Sequence, residues 1–153
     1  MPLFNMTDLL ARLAPGQRLL GLDPGSRVIG VALSDVTRRL ASPYGRIARF
    51  RLATNAAEIR RIAQTEHVGG LVIGLPLSLD GGFGPAAQAA RDWAHAISTA
   101  TALPAAMWDE SLTSVAVHEM LIEEADLSRR RRAAVVDKMA AALILQSALD
   151  ADR

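Results

Sequence analysis

The sequence predicts an α/β fold: a mixed five-stranded sheet, an antiparallel meander followed by parallel strands, flanked by helices. Three observations predict it. Short apolar runs at residues 18–22 and 28–33 flank Asp23-Pro24-Gly25-Ser26, and Pro-Gly is turn chemistry that reads as a β-hairpin. Residues 69–73 and 103–108 are brief apolar runs of the kind found in buried strands. Segments of helical character separate and follow these runs. The order β-β-β-α-β-α-β-α-α implies a mixed sheet with helices on its faces.

Taken in order, residues 6–14 read as a short amphipathic helix with Thr7 as N-cap, ended by Pro15-Gly16. Residues 42–50 form a third, more exposed strand, which Pro43 and Gly45 place at an edge or start late. A helix follows over 52–66, with Thr54 or Asn55 as N-cap and Ile59 and Ile62 among its apolar positions. Residues 74–82 are a loop of functional length. A helix over 85–99 accepts Pro85 in its first turn, another covers 112–124, and Ser128 caps a last helix to residue 150. Residues 1–153 read as one domain, with 1–17 a short helical extension.

Half of the 153 residues are apolar and 22% are charged, enough apolar material for a core. This excludes a disordered tail, a collagen repeat and a coiled coil. The absence of cysteine excludes disulfide scaffolds, zinc fingers and iron–sulfur centres. The first fifteen residues lack a signal-peptide pattern. The longest charge-free run, 93–108, falls short of a membrane span. A cytoplasmic location with no membrane partner is the expectation.

The net charge of +1 conceals segregation. Residues 18–61 hold nine Arg against Asp23, Asp35 and Glu58, whereas residues 109–126 hold six carboxylates and no base. Arg129, Arg130, Arg131 and Arg132 then form a run. Such a pattern suits a protein that meets phosphates on one side and holds cations on another. Genome-driven use of Arg on solvated faces accounts for any single run equally well.

Several carboxylates sit where surface charge is not their natural explanation. Asp23 ends one apolar strand and Asp109-Glu110 end another, while Asp137 lies inside a helix between Val135-Val136 and Met139-Ala140. Strand ends of α/β sheets are where ligands bind. Carboxylates gathered there repel one another unless a cation keeps them ionised. Ligation by oxygen alone points to Mg²⁺ or Mn²⁺, and Mg²⁺ shares its shell with phosphate oxygens. Two such ions ~4 Å apart would clamp both oxygens of an in-line displacement at phosphorus. Each residue also has a plainer role. Asp23 suits a turn, Asp109 a helix cap, Glu110 a first helical turn, and Asp137 a pair with Lys138 or a neighbouring Arg. The small residues around Asp137 (Ala133, Ala134, Ala140 and Ala141) suit close approach of its helix to a sheet.

The stretch from Gly21 through Gly25 to Gly30 bends tightly and offers backbone N–H groups to an anion, and Gly74 follows a buried strand as ligand loops do. By chemistry alone either is equally a simple turn. His67, His95 and His118 lack metal-ligand spacing, and Ser34 and Ser111 have no evident His partner, which argues against a Ser-His-Asp triad. Trp93 reads as core and Trp108 as packing beneath the site. Aromatic content of 4% argues against base-stacking platforms of the RNA-recognition-motif type.

Four ordered motifs resemble one family. They are the stretch from Leu20 through Asp23-Pro-Gly-Ser-Arg27 and Gly30 to Asp35; Val72-Ile-Gly74-Leu-Pro76 to Gly81, with Gly84-Pro85 and Gln88; Trp108-Asp-Glu110-Ser-Leu-Thr113; and Ser128-Arg129 to Arg132, followed by Val135-Val-Asp137-Lys138 and Ile144-Leu-Gln146. Together they resemble the bacterial RNase H-like family of pre-16S rRNA nucleases, also described as Holliday-junction-resolvase-like. The resemblance runs from about residue 18 to 150 and implies an RNase H-like fold with a metal-dependent nuclease site. It places catalytic and metal-binding roles at Asp23, Glu110 and Asp137, with Asp109 and Lys138 as helpers and two Mg²⁺ or Mn²⁺ ions. Arg27 and Arg129 to Arg132 would bind nucleic acid, and Gly25, Gly30 and Gly74 would line the phosphate loops. The chain departs from the family pattern at Ser78, Ala86 and Ser111, where the family carries Asn, often Arg, and Arg.

The implied function is phosphodiester cleavage at the 5′ end of pre-16S rRNA during ribosome biogenesis. A Holliday junction resolvase acting on branched DNA is the alternative, and it would require a homodimer for symmetric cuts. The Asp23–Gly30 turn also resembles the phosphate loop of actin-like nucleotide-binding proteins, and a non-catalytic RNA-binding module is a further reading. Three retained carboxylates argue against a pure binder.

Overall fold

The computed structural model describes residues 2–75, 84–109 and 129–151, with the side chains of residues 129–138 outside that description. The described elements are β1 (Leu3–Phe4), α1 (Met6–Ala11), β2 (Arg18–Pro24), β3 (Val28–Ser34), β4 (Ala41–Ala48), α2 (Leu52–Glu66), β5 (Val68–Leu75), α3 (Pro85–Thr101), β6 (Ala105–Asp109) and α4 (Arg129–Ala151). The helix expected over 112–124 and the Ser128 cap lie outside the described residues. Among the described residues no helix is long and apolar enough to cross a membrane.

The strands form one mixed sheet in the order β1-β6-β5-β2-β3-β4. β2, β3 and β4 are the antiparallel meander, while β5 runs parallel to both β2 and β6. The sheet has six strands rather than the expected five. The extra one is the two-residue β1, which pairs parallel with β6 through Leu3 and Phe4. A run that short carries no period of its own, so only its neighbour makes it a strand. β4 is the far edge, where Pro43 withholds no donor from an inner ladder.

Helices cover both faces. Leu20, Leu22, Ile29, Val31, Leu71 and Ile73 meet Ile59, Ile62, Ala94 and Ile97 of α2 and α3. Leu19, Ala32, Val72 and Ala106 meet α1 and α4 through Met6, Leu9, Ala141, Leu145 and Ala148. β5 is buried on both faces, which explains its nearly unbroken apolar sequence.

Two caps differ from expectation. Asn5, not Thr7, caps α1 and accepts the Asp8 N–H at 2.8 Å. The N-cap of α2 is Arg51, which makes no side-chain cap bond; Thr54 and Asn55 lie inside the helix. Asn55 is fully buried there. Its amide donates to the Ala48 carbonyl and its oxygen accepts the Phe50 N–H, both at 2.9 Å. A tertiary demand at the exit of β4 thus overrides its cap preference.

Candidate active site

Side-chain alternation along β2 decides where Asp23 lies. Leu20 and Leu22 face α2 and α3, so Leu19, Gly21 and Asp23 face α4. Gly21 confirms the direction, because a Cβ there would stand 2.9 Å from the Leu145 Cβ and 3.2 Å from the Ala141 carbonyl oxygen. The neighbours of Gly21 on this face are Ala32 and Val72, and beyond Val72 stands Ala106. Small side chains on the sheet and the alanines of α4 together bring the helix close.

One step further along β2, the next row on this face contains the site. Asp23 pairs with Gly30, and Gly30 pairs with Arg46. On the other side, the Leu22–Ile73 register sets Asp23 beside Gly74, which pairs with Trp108. The row reads Arg46, Gly30, Asp23, Gly74, Trp108. A half-buried carboxylate therefore stands between two positions that lack side chains. Trp108 bounds the row and donates its indole N–H to Ser147 Oγ of α4 at 3.1 Å. Asp137 occupies the position one helical turn before Ala141, on the part of α4 that precedes its contact with Gly21.

The turn after Asp23 is closed by the chain itself. The Gly25 N–H donates to the Val28 carbonyl at 2.9 Å, and a Cβ on Gly25 would meet that oxygen at 2.7 Å. This N–H is therefore engaged within the turn. Gly30 and Gly74 likewise lie in paired strands, not in the expected phosphate loops, because β3 and β5 continue through them. Their place in the row gives them a different use: they keep the space beside Asp23 open. Asp23 and Pro24 themselves belong to β2, so the turn begins at Gly25, two residues later than its Pro-Gly chemistry suggests.

The row is the part of the site that sequence reasoning missed, since residues on five different strands share no linear pattern. Arg49 was missed as well. Its guanidinium donates to the Gly25 carbonyl at 2.8 Å and lies 5.3 Å over the Trp93 ring, while its backbone N–H donates to Arg27 O at 2.9 Å. It ties the turn after Asp23 to α3.

Asp109 ends β6 and pairs with Leu75. Trp108 packs toward α4, so alternation puts exposed Asp109 on the opposite face from Asp23. Glu110 and Ser111 lie outside the described residues. Asp137, Lys138, Arg129, Arg130, Arg131 and Arg132 belong to α4, and their side chains lie outside the description. Arg27 is exposed in the turn. Among the described residues no group of three metal-ligating side chains is assembled. The oxygen donor and the open positions beside Asp23 fit a hard divalent cation. Ser34 is buried and structural: its Oγ accepts the Leu19 N–H at 2.8 Å and donates to Asp35 O at 3.0 Å.

The model of one family, RuvX, described as Holliday junction resolvase, matches residues 17–151. The chain belongs to the RuvX family. A relative from Gluconacetobacter diazotrophicus named "Putative pre-16S rRNA nuclease" is 64% identical over 151 residues, covering 99% of this chain and 98% of its own. A relative of the same name from Gluconobacter oxydans is 59% identical over 153 residues, covering 100% of this chain and 96% of its own. Among solved structures, T. thermophilus RuvC in complex with Holliday junction substrate matches with a TM-score of 0.52 and 14% identity, over 89% of this chain and 95% of that one. That likeness concerns the fold, which RuvX shares with RuvC: an RNase H-like sheet.

Proposed function

We propose that the chain is a metal-dependent nuclease that cleaves phosphodiester bonds at the 5′ end of pre-16S rRNA. RuvX membership and the end-to-end identity with named pre-16S rRNA nucleases support the substrate class. The observation that carries the chemistry is the row in which Asp23 stands between Gly30 and Gly74. Asp23, Glu110 and Asp137 are the residues that would hold Mg²⁺ or Mn²⁺. When bound, the ions supply charge that offsets the phosphate and Lewis acidity that activates water.

The chain's own residues do the rest. Gly21 sets the height of α4 above β2. Asp137 stands one helical turn before Ala141, whose carbonyl oxygen meets Gly21 two residues before Asp23, and this placement supports the pairing of the two carboxylates. Gly30 and Gly74 leave room for a phosphate beside Asp23, and Trp108 closes the row. Arg27 and the Arg129–Arg132 run bind flanking phosphates, so binding weakens with salt. The family description favours branched DNA as the second reading.

The test sets a pre-16S rRNA 5′-leader fragment beside a four-way DNA junction, each with Mg²⁺ or Mn²⁺, and with Asp23→Asn as control. Cleavage of the RNA alone, lost in the variant, is expected. Cleavage of the junction alone replaces the substrate, and equal activity of the variant removes the assigned site.

A further inference from the structure

α4 meets Gly21 through Ala141 and Leu145. Among the described side chains of this helix, Ala140, Ala141, Ala142 and Ala148 are buried, and the long buried ones, Ile144, Leu145 and Leu149, all follow Ala141. Methyl groups against a glycine fix how near a helix lies. They resist its rotation weakly, because few ridges enter grooves. Asp137 precedes Ala141 by four residues, so no long buried side chain lies between it and the Gly21 contact. Rotation matters to such a carboxylate. Side chains end ~5–6 Å from a helix axis, so a roll of ~20° moves their tips by ~2 Å. A Mg²⁺ ion demands near-ideal octahedral geometry at ~2.0–2.1 Å.

Hydrogen bonds on both flanks of α4 supply what the alanines lack. On one flank, Gln146 Oε1 accepts the Ala41 N–H at 2.9 Å, and Gln146 Nε2 donates to the Arg39 carbonyl at 2.9 Å. On the other, Ser147 Oγ accepts the indole N–H of Trp108, a member of the Asp23 row, at 3.1 Å. Counted around the helix, Gln146 is displaced ~100° from Leu145 in one sense and Ser147 ~120° from Ala141 in the other. Their partners lie at the start of β4 and in β6, on opposite sides of β2. The β4 anchor is itself held, since the Asp35 carboxylate accepts the Arg39 N–H at 2.8 Å and the Leu40 N–H at 3.2 Å. Hydrogen bonds are directional, so a helix tied on both flanks does not roll about its contact with Gly21.

We propose that Gln146 and Ser147 are positioning residues that fix the rotation of α4 and thereby hold the Asp137 position over Asp23. Both act through the helix. The inference rests on the nuclease reading, in which Asp23 and Asp137 share a metal ion, and it names the groups that align the two.

Gln146→Met keeps the length of the side chain and removes both of its bonds to the β4 anchor, and Ser147→Ala removes the opposite tether. The first measurement is nitrogen–proton correlation NMR of the metal-free protein. Gln146→Met is expected to shift the indole N–H resonance of Trp108, on the flank it does not touch, and Ser147→Ala to shift the Ala41 amide. The indole resonance of Trp93, in α3, stays in place. The second measurement is Mn²⁺ titration followed by the electron paramagnetic resonance of the free ion. Each variant is expected to weaken Mn²⁺ binding by about tenfold and to lower kcat with KM for the RNA unchanged. Asn55→Ala, which loosens the opposite face of the sheet, is expected to move neither the Trp108 resonance nor the Mn²⁺ affinity. An unmoved Trp108 resonance in Gln146→Met, wild-type Mn²⁺ affinity in both tether variants, or equal effects from Asn55→Ala overturns the proposal. Reciprocal shifts of Trp108 and Ala41 in a protein that binds no Mn²⁺ uphold the tethers and remove only the nuclease reading.

Discussion

Gly21 and Leu145 meet with no space for a side chain between them: a Cβ on Gly21 would lie 2.9 Å from the Leu145 Cβ. This contact sets the separation of α4 from β2, two residues before Asp23. Gly21→Ala forces the helix outward or bends the strand. Overpacking of this kind costs ~1–3 kcal/mol, measurable by urea denaturation. Cleavage is expected to fall further than stability does, because the displacement passes to the Asp23 row. Wild-type stability and wild-type cleavage in Gly21→Ala would show that the contact relaxes freely.

Asp23→Asn removes a charge from a half-buried strand end and leaves its shape. Mn²⁺ should raise the melting temperature of the wild type, since a ligand bound only by the native state stabilises it. The variant should lose most of that rise, together with cleavage. A rise equal to wild type in a thermal-shift titration would move the metal site elsewhere.

Asp35 organises the connection from β3 to β4. Its carboxylate accepts the Thr37 hydroxyl at 2.7 Å, the Arg39 N–H at 2.8 Å and the Leu40 N–H at 3.2 Å. Led by the Thr37 hydrogen bond, these donors lower its pKa from 3.8 to about 2. The folded value lies below the unfolded one, so the stabilisation is present above pH ~4 and is lost as pH falls toward 2. An NMR titration of the side-chain carboxyl should give a midpoint well below 3.8. Asp35→Ala should flatten the acid limb of the stability profile, and a midpoint near 3.8 would contradict the hydrogen bonding.

Asn55→Ala leaves the Ala48 carbonyl and the Phe50 N–H without the partner that now joins them to α2. Loss of one member of a buried pair costs ~1–3 kcal/mol. Amide exchange at Phe50 should accelerate more than exchange at Leu71, in the middle of β5. Equal acceleration at both would mean that the variant loosens the whole molecule, not the corner.

The hairpin and the parallel strands were legible because their signals are local. Pro24-Gly25 marks a turn, and the apolar runs ending at Ile73 and Trp108 mark buried strands. Asp23 stood out because it ends such a run. Gly30 and Gly74 were legible as glycines but not as neighbours of Asp23, since strand register is a long-range property. Asn55 misled because its cap preference is real in isolation and yields to a buried carbonyl. Arg49 gave no signal, since nothing in a basic stretch distinguishes the residue that reaches back to Gly25.

By itself the sequence determined the fold class, the order of most elements, the family and the carboxylate at the end of β2. Periodicity, turn chemistry and ordered motifs are written along the chain, so they survive without coordinates. Tertiary structure alone decided which residues share the row with Asp23, that α4 descends onto Gly21, and that Asp109 faces away from Asp23. Those outcomes depend on pairing register and helix–sheet distance, which are set when separate segments bury one another's apolar faces.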